Sequence, residues 1–358
     1  MGRTRNNPAL AVFAVVTAIS TLFLIWVGGV VTSHGVGMAV PDWPTTYGYN
    51  MFAFPFSEWL FTGTGVSKEH SHRLVASGVG FLTTIMAVWL WVKEERRWLR
   101  WLGVIAFVAV SIQGLLGGLR VTLFKDELGI FHATLAQMFF VLVSAIAFFL
   151  SESWKRLAEA NDSKRVQFHA WFRPVALAGT ILILGQLVLG ATMRHQHAGL
   201  AVPDFPLAYG KIWPRTDAAF IEEVNRGRIG EDHRDFKPVT GTQIYLHMAH
   251  RITAVMILVL VGACAVLSRK GEPHGRVTRF ATGWFCVIMV QAFLGAYTVW
   301  SNKAADVATA HMACGALSLV WGSLLFIGTA PLARKTVECQ AETPHVVSYK
   351  LQSEEAGA

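Results

Sequence analysis

The sequence predicts an all-α polytopic membrane protein in which eight transmembrane helices form two parallel-repeat four-helix bundles. The first observation is composition, because 53% of the 358 residues are hydrophobic and only 15% are charged. Soluble domains carry about 25% charged residues. The second is the presence of eight apolar stretches that each reach the roughly 20 residues needed to cross a bilayer. The third is that the same motifs occur in the same order in both halves of the chain.

The predicted spans are joined alternately by basic connections and by outer loops. They cover residues 9–31, 71–92, 100–121, 128–150, 174–193, 244–267, 278–299 and 305–328. Lys and Arg cluster after the second, fourth and sixth spans and near both chain ends. The positive-inside rule places these segments and both termini in the cytoplasm. We therefore expect a multi-pass protein of the bacterial inner (plasma) membrane, with the lipid bilayer and no nucleic acid as a partner.

Two motifs mark the internal repeat. Residues 40–48 read VPDWPTTYG and residues 202–210 read VPDFPLAYG. The following span carries EHSHR at 69–73 in the first half and HMAHR at 247–251 in the second. Because each half has four spans, both halves enter the membrane from the same side. A parallel repeat is therefore favoured over the inverted repeats on which some transporters are built.

The repeat and the charge pattern together predict four segments. Residues 1–155 form an N-terminal bundle and 156–172 a cytoplasmic linker. Residues 173–332 form a C-terminal bundle, and 333–358 form a polar, disordered cytoplasmic tail. The charge-dense stretch 215–238 in the second outer loop is interpreted as a solvated insert.

Four histidines occupy equivalent places in the two halves. His72, His132, His250 and His311 are placed in the first turns of the even-numbered spans, all near the outer face. An ionisable side chain at that depth is costly unless it binds something. Two histidines on facing helices suit the iron of a porphyrin, which takes one ligand above and one below its plane. A zinc site would need three or four converging ligands, so it is the weaker hypothesis.

The residues beside these histidines differ between the halves. Arg73 and Arg251 each follow a histidine and are candidates for pairing with a porphyrin propionate, or are interface anchors that reach water. Three residues before the histidine lies Glu69 in the first half and His247 in the second. A carboxylate beside only one site suggests acid–base chemistry there. The alternative is a solvated acid at a helix start. His34, His70, His195 and His197, in or near the outer loops, are weaker candidates.

These motifs, together with the two outer loops, resemble the haem A synthase family over about residues 10–330. The resemblance implies oxidation of a methyl group of haem O to the formyl group of haem A, with water as the oxygen source. It implies that His250 and His311 bind a permanent haem b. It also implies that His72 and His132 form the substrate-haem site, with Glu69 needed for turnover.

Cysteines are the main departure from the family pattern. Many relatives have a cysteine pair flanking the Pro-Asp-Trp-Pro stretch, whereas Val40 and Thr46 stand there in the first half of this chain. Val202 and Ala208 stand at the equivalent places in the second. The chain's own cysteines lie in predicted spans or in the cytoplasmic tail and none lies in an outer loop, so we expect no disulfide and no cysteine-based metal site. They are Cys264, Cys286, Cys314 and Cys339.

The residues alone leave two other functions open. One is a non-catalytic di-haem b-type cytochrome that transfers electrons, and the other is a haem carrier or transporter. Expected partners of a synthase are haem O, the haem O synthase and cytochrome oxidase assembly factors. A homo-oligomer is also compatible with the sequence.

Overall fold

Eight long helices dominate the computed structural model, which describes residues 7–61, 65–159, 169–228, 238–271 and 273–331. All eight are long and apolar enough to cross a membrane. The all-α, eight-span prediction is therefore confirmed. In chain order they are α1 (Pro8–Ser33), α3 (Gly65–Lys93), α4 (Arg97–Thr122), α5 (Asp126–Leu150), α7 (Phe172–His195), α9 (Gly241–Gly271), α10 (Arg276–Trp300) and α11 (Ala305–Gly328).

Three shorter helices lie between them and were not predicted. They are α2 (Phe56–Phe61), α6 (Glu152–Glu159) and α8 (Ala218–Arg228). The last lies inside the stretch interpreted as a solvated insert, whose residues 229–237 are outside the described part. The predicted tail 333–358 also lies outside it.

The start of α1 illustrates why these segments become helices. Asn7 accepts a hydrogen bond from the backbone N–H of Leu10 at 3.1 Å, and Pro8 occupies the first helical position. Pro has no N–H to satisfy there, and a side-chain cap satisfies one of the exposed donors. Within the span, the hydroxyls of Thr17 and Thr21 donate to carbonyls one turn earlier. Polar groups are thus satisfied inside the helix, as a lipid environment requires.

The helices that carry the first histidine of each pair begin earlier than predicted. α3 starts at Gly65 and α9 at Gly241, because both continue beyond the apolar run into polar residues. The first-turn placement of the histidines was therefore wrong. His72 and His250 lie roughly two turns or more into their helices. The same correction applies to the histidines of α5 and α11, which lie almost two turns in.

Helix contacts show how the histidine-bearing helices are brought together. In the first half, α3 packs between α1 and α4, while α5 packs against both α4 and α1. In the second half, α9 packs between α7 and α10, and α11 packs against α10 and α7. Between the halves, α1 meets α11, and α5 meets both α7 and α11. A buried cluster of Ile25, Phe140, Ala316 and Val320 fills that central contact. The division into two bundles with the segment boundaries given above stays a prediction.

The two motif loops adopt the same conformation. Each contains a cis X–Pro peptide, at Pro44 and at Pro206, and each ends in a glycine with positive φ, 80° at Gly48 and 72° at Gly210. In the first loop, the carboxylate of Asp42 accepts hydrogen bonds from the backbone N–H groups of Tyr47 and Gly48. Tyr47 and Tyr209, just before these glycines, also have positive φ, 50° and 53°. Glycine adopts such a conformation at the lowest cost, which favours it at the closing position of each turn.

Candidate functional site

The clearest geometry in the site region is that of His250 and His311. Their ring centroids are 6.4 Å apart and the ring planes cross at 67°. A metal ion bound by two imidazole nitrogens at about 2 Å each requires centroids roughly 6 Å apart. The two helices therefore already hold these rings at the separation that one iron would need.

Each of the four histidine rings lies against a glycine on a neighbouring helix. A Cβ added at any of these glycines would lie 3.0 to 3.5 Å from the Cε1 atom of the ring. The contacts occupy equivalent places in the two halves, so the absence of a side chain there leaves room for the imidazoles. The four contacts join Gly28 to His72, Gly117 to His132, Gly190 to His250 and Gly295 to His311.

In the first half, the equivalent helices α3 and α5 carry His72 and His132. His72 and His132 are close enough to interact electrostatically. The Nδ1 atoms of His72 and His250 are buried and form no hydrogen bond. His311 differs, because its Nδ1 lies 3.2 Å from the carbonyl oxygen of Gln291. A metal-bound histidine commonly donates from its second nitrogen to such an acceptor. His311 is therefore already oriented with Nε2 available.

Two paired imidazoles fit a porphyrin iron better than a zinc ion. Across the described ranges, no group of three or more His, Cys, Asp or Glu side chains could hold a metal. A structural zinc ion would take four ligands. Iron in a porphyrin needs only two from the protein, because the macrocycle provides the rest. The donor sets thus fit a haem in each half. Cys264, Cys286 and Cys314, in the membrane helices, are free.

Glu69 is buried and engaged through both of its carboxylate oxygens. Oε1 accepts from Nη2 of Arg73 at 2.9 Å, and Oε2 accepts from the backbone N–H of Val40 at 3.0 Å. The terminal nitrogens of Arg73 also donate to the carbonyl oxygens of Val40, Asp42 and Thr45. Both side chains therefore hold the first motif loop over the site. The predicted acid–base role of Glu69 and the predicted propionate contact of Arg73 stay predictions.

The second half repeats this arrangement with an imidazole in place of the carboxylate. The backbone N–H of Val202 donates to Nδ1 of His247 at 3.3 Å. The terminal nitrogens of Arg251 donate to the carbonyl oxygens of Val202, Asp204 and Leu207. The residues that differ between the repeats thus share one structural task, which is to accept from the loop backbone. The predicted propionate contact of Arg251 also remains a prediction.

Asp42 closes the first loop and carries a perturbed pKa. Its partial burial acts to raise the pKa. Hydrogen bonds from the Gly48 N–H, the Thr45 hydroxyl and the Tyr47 N–H act in the opposite direction. The net effect lowers the pKa of Asp42 below its usual value, because those donors favour the ionised form.

The weaker candidates have mainly local contacts. The Nδ1 atom of His34 lies 2.9 Å from a backbone carbonyl one turn earlier in the chain. His70 is buried, and its Nδ1 lies 3.2 Å from the hydroxyl of Thr46 in the motif loop. His197 begins a short 3-10 turn with a left-handed backbone, φ 54°.

Two residues at the end of α7 reach the other half of the chain, and the sequence did not reveal this. Arg194 donates to the hydroxyl of Thr32 on α1 at 2.6 Å. The ring of His195 lies against Gly129 on α5 and interacts electrostatically with His132. The only signal in the sequence was an Arg-His pair at the outer end of a span.

Two glutamines in the membrane helices support the histidine helices, and the sequence analysis did not single them out. Gln113 donates from Nε2 to the carbonyl oxygen of His132 at 2.8 Å. Gln186 makes the same contact with the carbonyl of His250, also at 2.8 Å. A polar side chain in the middle of an apolar span was the available signal.

Comparison with known proteins assigns the family. The family model COX15-CtaA, described as cytochrome oxidase assembly protein, matches residues 11–322. A protein of Bacillus licheniformis named heme A synthase is 26% identical over 314 residues, which cover 85% of this chain and 91% of that protein. A protein of Geobacillus kaustophilus with the same name is 26% identical, with 84% of each chain covered. Because the matched region includes all four histidines and both motif loops, the chain belongs to the COX15-CtaA family of cytochrome oxidase assembly proteins.

Proposed function

We propose that this protein is a haem A synthase, an oxidoreductase that converts the methyl group of haem O into the formyl group of haem A. The observation that carries the proposal is the 6.4 Å separation of the His250 and His311 rings, together with equivalent glycine contacts at His72 and His132, in a chain from this family. The relatives named heme A synthase cover most of the chain. Haem A made in this way is used in cytochrome oxidase biogenesis.

The two histidine pairs take different tasks in this proposal. His72 and His132 bind and orient the substrate haem O, and they release the product haem A. His250 and His311 hold a permanent haem b, which supplies a one-electron redox centre when bound. The 6.4 Å separation of the second pair supports the haem b assignment. The glycine contacts shared by the two pairs support a haem in the first half as well.

Glu69 is proposed to handle protons at the substrate methyl group. Replacing methyl hydrogens by a formyl oxygen from water releases protons and electrons in equal number. The electrons must pass to an electron acceptor outside this chain, and the protons require a base near the site. Glu69 lies one turn before His72 on the same face of α3. Its carboxylate would accept a proton while Arg73, held by the loop carbonyls, keeps it in place.

We also propose the location and partners of the enzyme. The basic connections between spans support a bacterial inner membrane protein with both termini in the cytoplasm. The histidine pairs then lie near the outer face. The enzyme that makes haem O is the expected neighbour, together with other cytochrome oxidase assembly factors.

Pigment extraction tests the proposal directly. The full-length chain is expressed with a source of haem O, and haems in the membranes are identified by mass and absorption spectrum. Haem A in the extract is expected, and a chain with His72→Ala provides the matched control without it. Two stable haems b and no haem A would identify a b-type cytochrome instead. Freely exchangeable haem in both halves with no formyl product would identify a carrier.

A further inference from the structure

The two halves also differ at the end of the molecule opposite the histidine pairs. Helices α3 and α4 are joined there in the first half, and α9 and α10 in the second. The repeat that aligns the histidines of α3 and α9 also places Trp91 opposite Arg269 and Trp101 opposite Arg279. Two aromatic residues of the first half therefore correspond to two cations in the second.

In the first half, the two aromatic side chains fill the space between the helix ends. The indole rings of Trp91 and Trp101 have centroids 5.7 Å apart, and their planes cross at 89°. An edge-to-face contact of this kind is favourable between aromatic rings. These helix ends are thus held by a direct contact between their own side chains.

In the second half, the equivalent positions line an open cleft. Its volume is about 530 Å³, and both Arg269, in the last turn of α9, and Arg279, in the first turn of α10, contribute to its wall. The cleft is further lined by Pro273, His274, Thr278 and Thr282. Two guanidinium groups carry like charges and repel each other, so they do not provide the attraction that the indole rings provide. An anion bound by both would remove that repulsion.

The two arginines have no counter-ion among the described residues. Within the described ranges, neither forms an ion pair, and no Asp or Glu lines the cleft. In the first half, by contrast, Arg96 pairs with Glu94 at 2.8 Å in the equivalent connection. The counterpart of Glu94 is Glu272, which lies outside the described residues. The cleft as described thus presents two positive charges to an incoming anion.

The cleft lies at the depth of lipid headgroups. Helices α9 and α10 are both long and apolar enough to span a membrane, and the cleft adjoins the connection between them. Thr282 follows the first residue of α10 by six positions, so the cleft reaches about 9 Å along that helix. The interfacial layer of a bilayer is roughly 5 to 8 Å deep on each side. Phospholipid phosphates occupy that layer, and basic pockets between membrane helices bind such groups.

We propose that this basic cleft binds a phosphate group through Arg269 and Arg279. A phospholipid headgroup and a soluble phosphate compound offer the same anion to two guanidinium groups, and the experiment below separates these two sources. The inference is independent of the proposed function, because none of the residues that line the cleft in the described structure belongs to a histidine pair or a motif loop.

Binding measurements with two phosphate sources test the assignment. The full-length protein, purified in a neutral detergent and depleted of lipid, is titrated with phosphatidylglycerol, and the bound lipids are counted by native mass spectrometry. A parallel titration uses inorganic phosphate and is followed by calorimetry. Saturable binding of at least one of them is expected, and Arg269→Gln/Arg279→Gln should weaken it about 10-fold or more. Tighter binding of the lipid identifies a headgroup site, and tighter binding of inorganic phosphate identifies a site for a soluble compound.

A charge-matched pair of neighbouring residues provides the control. Lys270→Gln/Arg276→Gln removes the same charge from the same two helix ends, at exposed positions that do not line the cleft. This variant should bind both ligands as the unaltered protein does. Equal weakening in the two double variants, or none in Arg269→Gln/Arg279→Gln, would overturn the assignment, as would the absence of saturable binding. Binding that appears only in Glu272→Gln would also overturn it, because an acid of the chain would then already neutralise the arginines.

Discussion

The two motif loops are built alike and anchored differently. In each loop, an arginine from the following helix donates to three loop carbonyls. A residue one turn earlier on that helix accepts a hydrogen bond from the loop backbone. That acceptor is the carboxylate of Glu69 in the first half and the imidazole of His247 in the second. The two repeats therefore share the structure of the loop but differ in the chemical group that accepts a hydrogen bond from it.

Arginine placement follows the same rule. Arg120 lies beside the first histidine pair, where the second half has Thr298. Conversely, Arg194 interacts electrostatically with His311, and its counterpart in the first half is Thr32, to which it donates. Each half therefore has one additional cation near its histidines, from a helix that is not its repeat equivalent. The two repeats therefore have different charged residues near their histidines.

The largest expected effect is the loss of haem from one half alone. His250→Ala should abolish the bound haem b spectrum, because a single imidazole cannot provide both axial ligands. His72→Ala should leave that spectrum intact, since it changes only the other pair. Absorption spectra of the purified variants check both outcomes. Retention of a full haem b spectrum in His250→Ala would show that the two pairs have been assigned the wrong way round.

Exchanging the loop acceptors tests whether the carboxylate has a chemical role. Glu69→Gln and Glu69→His should both stop haem A formation while haem b remains bound. The Glu69→His variant restores an acceptor for the Val40 N–H, as His247 does in the second loop, so the loop should stay in place. Haem A yield is measured against a His247→Gln control, which should retain most activity. Normal haem A formation by Glu69→Gln would remove the carboxylate from the mechanism.

Adding a methyl group at the glycine contacts should give a graded effect. Gly117→Ala places a Cβ 3.1 Å from the ring of His132, closer than nearly all natural contacts, so the ring must shift. Gly190→Ala places it 3.5 Å from the ring of His250, which is an ordinary contact. We expect Gly117→Ala to weaken haem O binding several-fold, on the order of 1 kcal/mol, as mild overpacking does. Gly190→Ala should change haem b content little. Equal losses in both variants would contradict the view that these glycines leave room for the histidine rings.

The smallest expected effect is the pH response of the first loop. Because hydrogen bonds lower the pKa of Asp42 in the folded protein, its carboxylate contributes stability above the value in the unfolded chain, about 3.9. That contribution is lost as the pH falls through the lowered folded value. The protection of the Tyr47 and Gly48 amides against hydrogen exchange, relative to the intrinsic rate at each pH, should therefore fall below about pH 4. In Asp42→Asn these amides should exchange with no such pH step, and a step of equal size in that variant would assign it to another group.

The parts of the molecule that could be predicted from sequence are those set by length and repetition. Eight apolar runs predicted the eight long helices, and the repeated histidines predicted the two candidate haem sites. The start of α3 could not be predicted, because Glu69 and His70 are polar in sequence and are buried only by the loop folded over them. The contact of Gly117 with the ring of His132 was missed for a related reason. A periodic pattern identifies the face of a helix and says nothing about which neighbour that face touches.

The four residues at the places where many relatives have thiols have a further consequence. Val40, Thr46, Val202 and Ala208 are all fully buried beneath their loops. In the second loop, Val202 and Ala208 join an apolar cluster with Val239, Ile244 and Met248. The two motif loops are thus held by packing and backbone contacts, with no thiol at these four positions. We therefore expect strong reductants to leave both motif loops closed.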